Sequence, residues 1–421
     1  MQPTEPIELL RNMFSAAIAA ADPMSRVPEF LPSNKDRPLV VVGAGKASAR
    51  MAQAVEAHWQ GPLSGIVVTR YGHSVDCDHI EILEAAHPVP DQAGIRATER
   101  ILQLVSDLQK ADQCLVLISG GGSALLTAPV PEITFAEKQQ INYELLASGA
   151  AIHEINCVRK HLSRVKGGRL AAAAAPAKVI SLLISDVPGD DPATIASGPT
   201  VGDPSSLQDA REVLERYEIN PPDSIRRALR EDRNETPSPD DPKLATAKTH
   251  VIAAPQQSLQ AAANVASDNG VTPMILGDAI EGEAREMGKV MAGIAQQVRR
   301  NNLPEPAPCV LISGGESTVT IQGEGRGGRN VEFLLSLTQE LHGTSDIFAL
   351  AADTDGIDGI EEVAGAVSGP DTLSRAHQLG LSASEYLKNN DAHTFFEALG
   401  DQVITGPTLT NVNDFRAILI V

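Results

Sequence analysis

The sequence is poor in several residue types, and each shortage argues against a class of protein. Only four cysteines occur in 421 residues, and no two stand in a CxxC or other metal-ligand spacing. Buried free thiols and a cytoplasmic location are therefore expected. Basic residues number 34 against 54 acidic ones, so a net charge of −20 argues against nucleic acid as a partner. No stretch approaches the roughly 20 apolar residues of a transmembrane helix, so no membrane partner is expected either.

The first glycine-rich loop, Gly43–Ser48 (GAGKAS), lacks parts of two familiar motifs. A Walker A loop would have glycine at Val40 and serine or threonine at Ala47. A dinucleotide fingerprint would have a third glycine at Ser48 and an acidic residue where Arg70 ends the next strand. Since arginine suits a 2′-phosphate, NADP binding remains an alternative at this loop.

Length and polarity predict more than one domain. With 421 residues, 42% of them apolar, the chain is expected to form two or three domains with large cores. The stretch from about Gly202 to Lys248 is hydrophilic and rich in proline. We therefore place the boundary there, with an N-terminal domain at 1–240 and a C-terminal domain at 241–421.

One phrase occurs twice and organises the chain. Leu115–Ser123 (LVLISGGGS) and Val310–Ser317 (VLISGGES) are branched apolar runs that lead into glycines. Such runs are typical of buried parallel strands, and the glycines expose backbone amides to a ligand. Both phrases are followed by a second strand that ends in an aspartate-rich loop. The pattern predicts two Rossmann-like α/β domains with mainly parallel sheets and an interdomain cleft. The last strand, Phe415–Val421, is left open between the two sheets.

The glycine turns are the first candidate ligand contacts. In the GAGKAS loop, the sequence of strand, GxG turn and helix start predicts an anion site. Amides of the repeated turns are expected to bind phosphate oxygens or a small acid, and no GxSxG elbow supports an acyl-enzyme at either serine. Glu316 replaces the third glycine and could bind a ribose or support a metal. The candidates are Gly43, Gly45, Ser119, Gly120, Gly121, Gly122, Ser123, Gly314, Gly315 and Glu316.

Lys46 is the first candidate catalytic cation. It lies in the first turn of a predicted helix, where the helix dipole disfavours a positive charge. A bound anion at the same loop would explain the lysine, although a solvated lysine is the alternative.

The loop after the strand Val179–Ile184 is the candidate acidic site. Asp186 and Asp190 follow a strand at its carboxyl end, where open α/β sheets bind ligands. Carboxylate oxygens suit Mg²⁺, which takes one or two of them together with water and phosphate oxygens. A turn rich in aspartate and glycine for conformational reasons alone is the alternative.

Two further basic stretches stand out in this acidic chain. Arg159–Arg169 holds several cations beside a Gly-Gly pair, of which one or two are expected to face a ligand. Gly323–Asn330 places four glycines, Arg326 and Arg329 at a helix start, which is typical of a phosphate cradle. Asn330 completes the candidates, and an ordinary glycine loop is the alternative reading.

Several long motifs together resemble the glycerate 2-kinases of the MOFRL type, in order and across almost the whole chain. They are GAGKAS (43–48), HPVPD (87–91), LISGGGSALL (117–126), NxVRKHLSxxKGGRLA (156–171), SDVPGDDPATIASGPT (185–200), LISGGES (311–317), GRGGRNVE (325–332), DTDGIDG (353–359) and GPTLTNVNDFR (406–416). The resemblance implies two α/β domains and transfer of the ATP γ-phosphate to the 2-hydroxyl of D-glycerate. The residues it implies for the site are Lys46, Asp186 or Asp190, and Arg326.

The expected mechanism is positioning and charge neutralisation, with ATP and Mg²⁺ as cofactors. Lys46 and Arg326 would hold phosphate and substrate carboxylate, in an order the sequence leaves open. An aspartate, Asp186 or Asp190, would hold Mg²⁺ or accept the hydroxyl proton. Some family members carry the label hydroxypyruvate reductase, so the rival is an NAD(P)H-dependent hydroxypyruvate or tartronate-semialdehyde reductase. A non-catalytic sensor is a third class, and a homodimer is one option for assembly.

Overall fold

The computed structural model describes residues 5–421, which form two compact α/β units. One unit is Pro23–Ile252, and the other combines the described residues up to Asp22 with Ala253–Val421. The helices are α1 (Pro6–Ala20), α2 (Pro23–Arg26), α3 (Ser48–His58), α4 (Gln92–Ser106), α5 (Gly122–Leu125), α6 (Phe135–Ala147), α7 (Ile152–His161), α8 (Arg169–Ala174), α9 (Leu207–Arg216), α10 (Asp223–Ala228), α11 (Pro255–Asp268), α12 (Ala284–Asn301), α13 (Arg329–Leu341), α14 (Thr372–Gln378), α15 (Ala383–Lys388) and α16 (Ala392–Leu399). The strands are β1 (Leu39–Ala44), β2 (Leu63–Arg70), β3 (Ile80–Ala85), β4 (Gln113–Ile118), β5 (Lys178–Ile184), β6 (Lys248–Ala253), β7 (Thr272–Gly277), β8 (Gly282–Glu283), β9 (Cys309–Ser313), β10 (Ser317–Thr318), β11 (Ile347–Asp353), β12 (Gly365–Ser368), β13 (Gln402–Val403) and β14 (Asp414–Ile420).

The Pro23–Ile252 unit is built on a six-stranded sheet in the order β3-β2-β1-β4-β5-β6. The pairs β3–β2, β2–β1, β1–β4 and β4–β5 are parallel. This confirms the Rossmann-like prediction, since the strand order reverses between β1 and β4 as it does in dinucleotide-type folds. In the register, Ala44 lies opposite Ile118, and Ile118 lies opposite Leu183. The loops after β1, β4 and β5 therefore leave the sheet at one edge.

The central strands of this sheet are buried along their whole length. All six residues of β1 and all six of β4 are buried, as the continuous branched runs predict for strands covered on both faces. Helix α4 places Ile101 and Val105 in the same core as Val116 and Ile118 of β4. This core fixes the positions of the strands whose carboxyl ends carry the loops.

The second sheet departs from the predicted parallel arrangement. Its order is β13-β12-β11-β14-β9-β7, and only the β7–β9 pair is parallel. β14 lies between β9 and β11 and runs antiparallel to both, and β12 is antiparallel to its two neighbours. Because the chain's last strand inserts between β9, the strand of the second phrase, and β11, the strand that follows it in the predicted repeat, the second unit is not a copy of the first. The last strand thus belongs to the second sheet, and the predicted interdomain cleft stays a prediction.

The division of the chain differs from 1–240 and 241–421 at two places. Helix α1 packs in the second unit, where the Phe14 ring lies tilted against the Phe415 ring with centroids 5.6 Å apart. Strand β6, predicted for the C-terminal domain, pairs with β5 in the first sheet. The polar, proline-rich stretch therefore lies within the first unit, ahead of the last strand of its sheet.

Within residues 5–421 the structure contains no helix with the length and apolar character of a membrane span.

Candidate active site

The glycine turns that follow β1 and β4 are bonded to each other. The amide of Lys46 donates to the carbonyl of Gly120 at 2.8 Å. The amide of Ala47 donates to the hydroxyl of Ser119 at 2.9 Å. The two turns therefore form one unit at the carboxyl edge of the parallel sheet, where the half-buried side chain of Lys46 also lies.

The glycines of the first turn are required by this close approach. A Cβ atom on Gly45, whose φ is +145°, would lie 2.1 Å from the Ser119 hydroxyl, and one on Gly43 would lie 2.1 Å from the Leu117 carbonyl oxygen. The amide of Gly45 donates to the carbonyl of Val68 at 3.1 Å. The amides predicted to bind an anion are thus used within the protein. The first turn supports the second one, and direct cofactor contact by Gly43 and Gly45 stays a prediction.

The second turn keeps backbone donors available. Among residues 5–421, the amides of Gly120 and Gly121 have no acceptor. The Ser119 hydroxyl is fully buried and lies 3.2 Å from that of Ser48, so it supports the turn from below. A Cβ on Gly121 would come within 2.9 Å of the His87 ring, which packs over the turn. The geometry leaves the two adjacent amides as the donors for a ligand.

Three aspartates in the loop after β5 have different surroundings. Asp191 accepts hydrogen bonds from the amide of Ala193 and the hydroxyl of Thr194, both at 3.0 Å, so it caps the next turn. Asp190 has a left-handed backbone, with φ +54°, and its Oδ1 is buried without a hydrogen-bond partner in the described chain. Asp186 is half-buried nearer the strand. Asp190 is therefore the carboxylate with an oxygen left for a ligand.

The same loop fits the expected magnesium ion in its donor set. Residues 5–421 contain no cluster of three or more His, Cys, Asp or Glu side chains suited to holding a metal. Mg²⁺ commonly binds proteins through one or two carboxylates and completes its shell with water and phosphate oxygens. Asp190, through its unpaired Oδ1, and Asp186 could supply these one or two carboxylate ligands.

A cavity of about 210 Å³ opens beside the turn that follows β4, Ser119–Gly122, which we call the SGGG turn. It is lined by three basic side chains, Lys138 from α6, Arg159 from α7, and Lys166 from the turn before α8. Lys138 is 3% exposed and Lys166 is 2% exposed. His87 and Gly121 form part of the wall, and within the described chain no Asp or Glu lines the cavity. The cavity therefore concentrates positive charge in a strongly acidic protein.

The three cations differ in how they are held. The Lys166 ammonium donates to the carbonyl and the hydroxyl of Ser123 at 2.7 and 2.8 Å. Arg159 Nε donates to the Asn142 side-chain oxygen at 3.3 Å. In residues 5–421, the Lys138 ammonium has no hydrogen-bond or ion-pair partner. Two of the cations are thus oriented by neutral oxygens, and one has no partner.

Burial and mutual repulsion weaken the proton affinity of these groups. Burial, together with the positive charge of Arg159, lowers the pKa of Lys138 to about 8. Burial also lowers the pKa of Lys166 well below its ordinary value, with Lys138 and Arg159 adding to the effect. The pKa of Arg159 is lowered by burial as well. A bound anion would relieve all three effects.

Arg329, in the second unit, is surrounded by carboxylates. Its guanidinium bonds Asp414 at 2.7 Å, Asp353 at 2.8 Å and Glu316 at 2.5 Å. Burial alone would lower the pKa of Arg329, but Asp414, Asp353 and Glu316 outweigh burial and raise it. Glu316 and Arg329 thus form an ion network, and their predicted cofactor contacts stay a prediction.

Asn330 joins the same network at the start of α13. Asp358 accepts from the amides of Asn330 and Val331 at 3.0 and 2.9 Å, and the Asn330 side chain donates to Asp414 at 2.8 Å. Burial raises the pKa of Asp358 to about 6. The DTDGIDG loop therefore anchors the helix that follows the GRGGRN loop.

Arg326 has a different setting from Arg329. Its side chain is 51% exposed and bonds Glu361 at 2.7 and 3.0 Å, with Glu397 at 3.5 Å. The Glu361 hydrogen bond raises the pKa of Arg326. To hold a phosphate, this arginine would have to exchange Glu361 for the ligand, so its predicted role stays a prediction.

The glycines of the second phrase are packed closely. A Cβ on Gly315 would lie 2.3 Å from the backbone of Ile280, and the amide of Gly314 donates to the Gly277 carbonyl at 2.9 Å. Their conformational requirement is explained by the fold, and ligand binding by their amides stays a prediction.

Taken residue by residue, the structure groups the predicted site in two sets. Lys46, Ser119–Ser123 and the Asp186–Asp191 loop meet at one sheet edge of the Pro23–Ile252 unit, and Glu316, Arg329 and Asn330 meet around Asp414. The residue that sequence reasoning missed is Lys138. Its signal was present, because Lys138, Ile141 and Leu145 occupy one buried helix face.

The fold and this edge define a class. A parallel sheet with Rossmann strand order, glycine turns at its carboxyl edge and an acidic loop beside them is typical of enzymes that handle nucleotides or phosphates.

Comparison with known proteins identifies the family. Residues 9–230 match the domain of unknown function DUF4147, and residues 309–414 match the MOFRL family. The chain is 42% identical to the D-glycerate 2-kinase of Thermotoga maritima over 98% of both chains. It is 55% identical to an Agrobacterium vitis protein provisionally named hydroxypyruvate reductase, over 98% of this chain and 94% of that one. The crystal structure of the Thermotoga maritima glycerate kinase superposes with a TM-score of 0.90 at 41% identity, covering 98% of this chain and 99% of that one. The protein belongs to the MOFRL-type glycerate kinase family.

Proposed function

We propose that this protein is a D-glycerate 2-kinase that transfers the γ-phosphate of ATP to the 2-hydroxyl of D-glycerate. The products are 2-phosphoglycerate and ADP. The proposal is supported by the full-length similarity to the Thermotoga maritima enzyme of that name. The structural observation that carries it is the meeting of three loops after the neighbouring strands β1, β4 and β5. We place the enzyme in the cytoplasm, where ATP is supplied.

The residues at this edge match what phosphoryl transfer requires. The 2-hydroxyl oxygen attacks the γ-phosphorus, the bond from the γ-phosphorus to the bridging oxygen breaks, and ADP leaves with that electron pair. Catalysis of this step is largely positioning and charge stabilisation. Lys46 and the amides of Gly120 and Gly121 would hold phosphate oxygens, and an aspartate, Asp186 or Asp190, would accept the hydroxyl proton. Mg²⁺, bound through the other aspartate, would neutralise charge on the phosphates.

The structure disfavours the reductase alternative at one point. A dinucleotide site needs free amides in the first βα turn, and close packing of the helix through a third glycine. Here the amides of Gly45, Lys46 and Ala47 have internal acceptors. Ser48 replaces the third glycine, and its hydroxyl donates to the Leu117 carbonyl at 3.1 Å. The first turn is therefore built to support its neighbour rather than a pyrophosphate.

The test is an assay of purified protein with D-glycerate, ATP and MgCl₂. We expect ADP release that depends on both D-glycerate and metal. Proton-coupled ³¹P NMR of the product should give a doublet, because phosphorus at position 2 couples to one hydrogen, whereas a triplet would indicate position 3. Oxidation of NADPH with hydroxypyruvate, independent of metal and without ADP release, would establish the reductase instead.

A further inference from the structure

The kinase chemistry leaves the cation-lined cavity unexplained. Lys138, Arg159 and Lys166 lie around about 210 Å³, and within the described chain no carboxylate lines the cavity. Buried charges are normally paired, because an unpaired charge in a protein interior loses its hydration without compensation. Lys160, a buried lysine next to Arg159 in the sequence, is paired in this way, since its ammonium lies 3.3 Å from Asp203 Oδ1. The counter-charge of the cavity is therefore missing from the protein itself.

We propose that this cavity is the binding site for the carboxylate end of the hydroxy-acid substrate, with Lys138, Arg159 and Lys166 as its ligands. The proposal rests on the kinase function in naming the acid, but its evidence is the cavity alone. Size favours a small acid, because pockets for drug-sized ligands run to roughly 300–1,000 Å³. About 210 Å³ suits a three-carbon acid and is too small for a nucleotide.

Each lining group has a distinct task. Lys166 is held by two bonds to Ser123, so its ammonium has a fixed direction at the end of the SGGG turn. Arg159 is oriented through Asn142 and offers its remaining donors to a planar carboxylate. Lys138 has no partner in residues 5–421, so the substrate would supply its first one. Gly121 of the glycine turn and His87 also line the cavity.

The position of the cavity also fits the reaction. Ser123 belongs to the cavity wall and ends the turn whose Gly120 and Gly121 amides are available to a ligand. A carboxylate held by the three cations would therefore place the neighbouring carbon, which carries the 2-hydroxyl, beside those amides. The cavity would determine that the substrate is a 2-hydroxy acid rather than a simple alcohol.

The test is calorimetric titration of the full-length protein with D-glycerate, inorganic phosphate and glycerol, each without nucleotide and again with ADP and MgCl₂. We expect D-glycerate to bind and glycerol not to bind. Lys138→Met should weaken D-glycerate binding by about 10- to 100-fold, the range of a charge-assisted hydrogen bond. It should also raise the melting temperature of the ligand-free protein, which loss of a structural lysine would not do. Lys160→Met is the matched control, because it removes a buried lysine that has its own carboxylate, and it should lower the melting temperature without changing D-glycerate binding.

Several outcomes would overturn the proposal. These are unchanged D-glycerate binding in Lys138→Met and Arg159→Met, equal binding of glycerol, or weakening of phosphate binding alone, which would make the cavity a phosphate site. Failure of the proposed kinase function would look different. D-glycerate would then bind wild type and not Lys138→Met, while no ADP formed.

Discussion

The ammonium group of Lys166 lies 2.7 Å from the carbonyl oxygen and 2.8 Å from the hydroxyl oxygen of Ser123. This contact joins the basic stretch after α7 to the end of the SGGG turn, 43 residues earlier in the chain. The Ser123 hydroxyl also lies 3.0 Å from that of Ser197, in the segment that follows the Asp186–Asp191 loop. One serine thus connects the cation cavity, the glycine turn and the acidic loop.

Lys138→Met should stabilise the ligand-free protein. The folded pKa of Lys138 is about 8, against 10.5 for an ordinary lysine, so folding penalises its charged form. At 1.36 kcal/mol per pKa unit the penalty is at most about 3.4 kcal/mol. Because the unfolded chain binds the proton more tightly, the penalty is complete below pH 8 and disappears as the pH rises toward 10.5. Denaturant unfolding at pH 7 should show the variant to be more stable by about 1–3 kcal/mol.

The pH series supplies the control for this prediction. The stability difference between Lys138→Met and wild type should shrink between pH 8 and pH 10. A variant that is less stable at pH 7, or a difference that does not change with pH, would mean that Lys138 is a structural residue with a partner.

Binding of D-glycerate should take up protons near pH 8. Arg159, Lys166 and His87 face Lys138 across the cavity, and none of them is negative. A bound carboxylate would favour the charged form of Lys138 and raise its pKa from about 8. Calorimetry in buffers with different ionisation enthalpies should therefore show proton uptake at pH 8, and kcat/KM for D-glycerate should fall above that pH. Lys138→Met should lose this proton uptake. Proton release in wild type would contradict the assignment.

The central strands of both sheets could be predicted from runs of branched apolar residues. The branched apolar stretches around Leu115, Val179, Val310 and Ile347 are all strands, because such runs are stable only where both faces are buried. The direction of β14 could not be predicted in this way. Its apolar residues suit either direction, and its place between β9 and β11 is decided by packing between segments far apart in sequence. The same reason explains why α1 was not assigned to the second unit.

The candidate site was predictable where a motif carries its own geometry. Gly43–Ser48 and Leu117–Ser123 do meet at one edge, as adjacent strand ends require. The partners of each group could not be read from the sequence, and they change the interpretation. Arg329 resembles a phosphate ligand in a glycine loop, yet it bonds three carboxylates. Lys138 resembles an ordinary helix lysine, yet it is 3% exposed, because its place on the helix decides its environment.

Asp190→Asn tests whether Asp190 is one of the two aspartates that the proposed mechanism needs. Asp190 has a buried oxygen without a partner in the described chain, whereas Asp191 caps the following turn. Asparagine tolerates a left-handed backbone as aspartate does, so the loop should keep its conformation. Loss of the carboxylate should lower kcat by about 10²- to 10⁴-fold, and the Mg²⁺ concentration for half activity should rise.

Asp191→Asn is the matched control for this pair. Its remaining amide oxygen can still accept the Ala193 bond, so kcat should change little. Equal losses in Asp190→Asn and Asp191→Asn would show that the loop conformation, and not one carboxylate, matters for turnover.

Lys46→Ala should abolish most turnover while leaving thermal unfolding nearly unchanged. The bond from residue 46 to Gly120 uses the backbone amide and is kept in the variant. Loss of a cation that stabilises transferring phosphate should lower kcat by about 10²- to 10³-fold. Lys178→Ala, at the exposed start of β5, is a suitable control because it removes a lysine from the opposite end of a strand. Near-normal kinase activity in Lys46→Ala would remove Lys46 from the site.

Replacement by methionine should affect thermal stability differently at the two arginines of the GRGGRN loop. Arg329→Met would remove a guanidinium that pairs with two buried carboxylates, Asp353 at 4% and Asp414 at 1% exposure. Asp414 would keep its second ion pair, with Arg416. Breaking a buried ion pair in this way typically costs about 3–5 kcal/mol, so the melting temperature should fall sharply. Arg326→Met removes a half-exposed side chain whose pair with Glu361 contributes little to stability, so the melting temperature should barely change. If Arg326 exchanges Glu361 for substrate phosphate, its variant should instead lose turnover. Similar melting temperatures with similar kinetic losses for both variants would mean that the two arginines act as one ligand-binding pair, and that the carboxylate network of Arg329 is not what holds the loop.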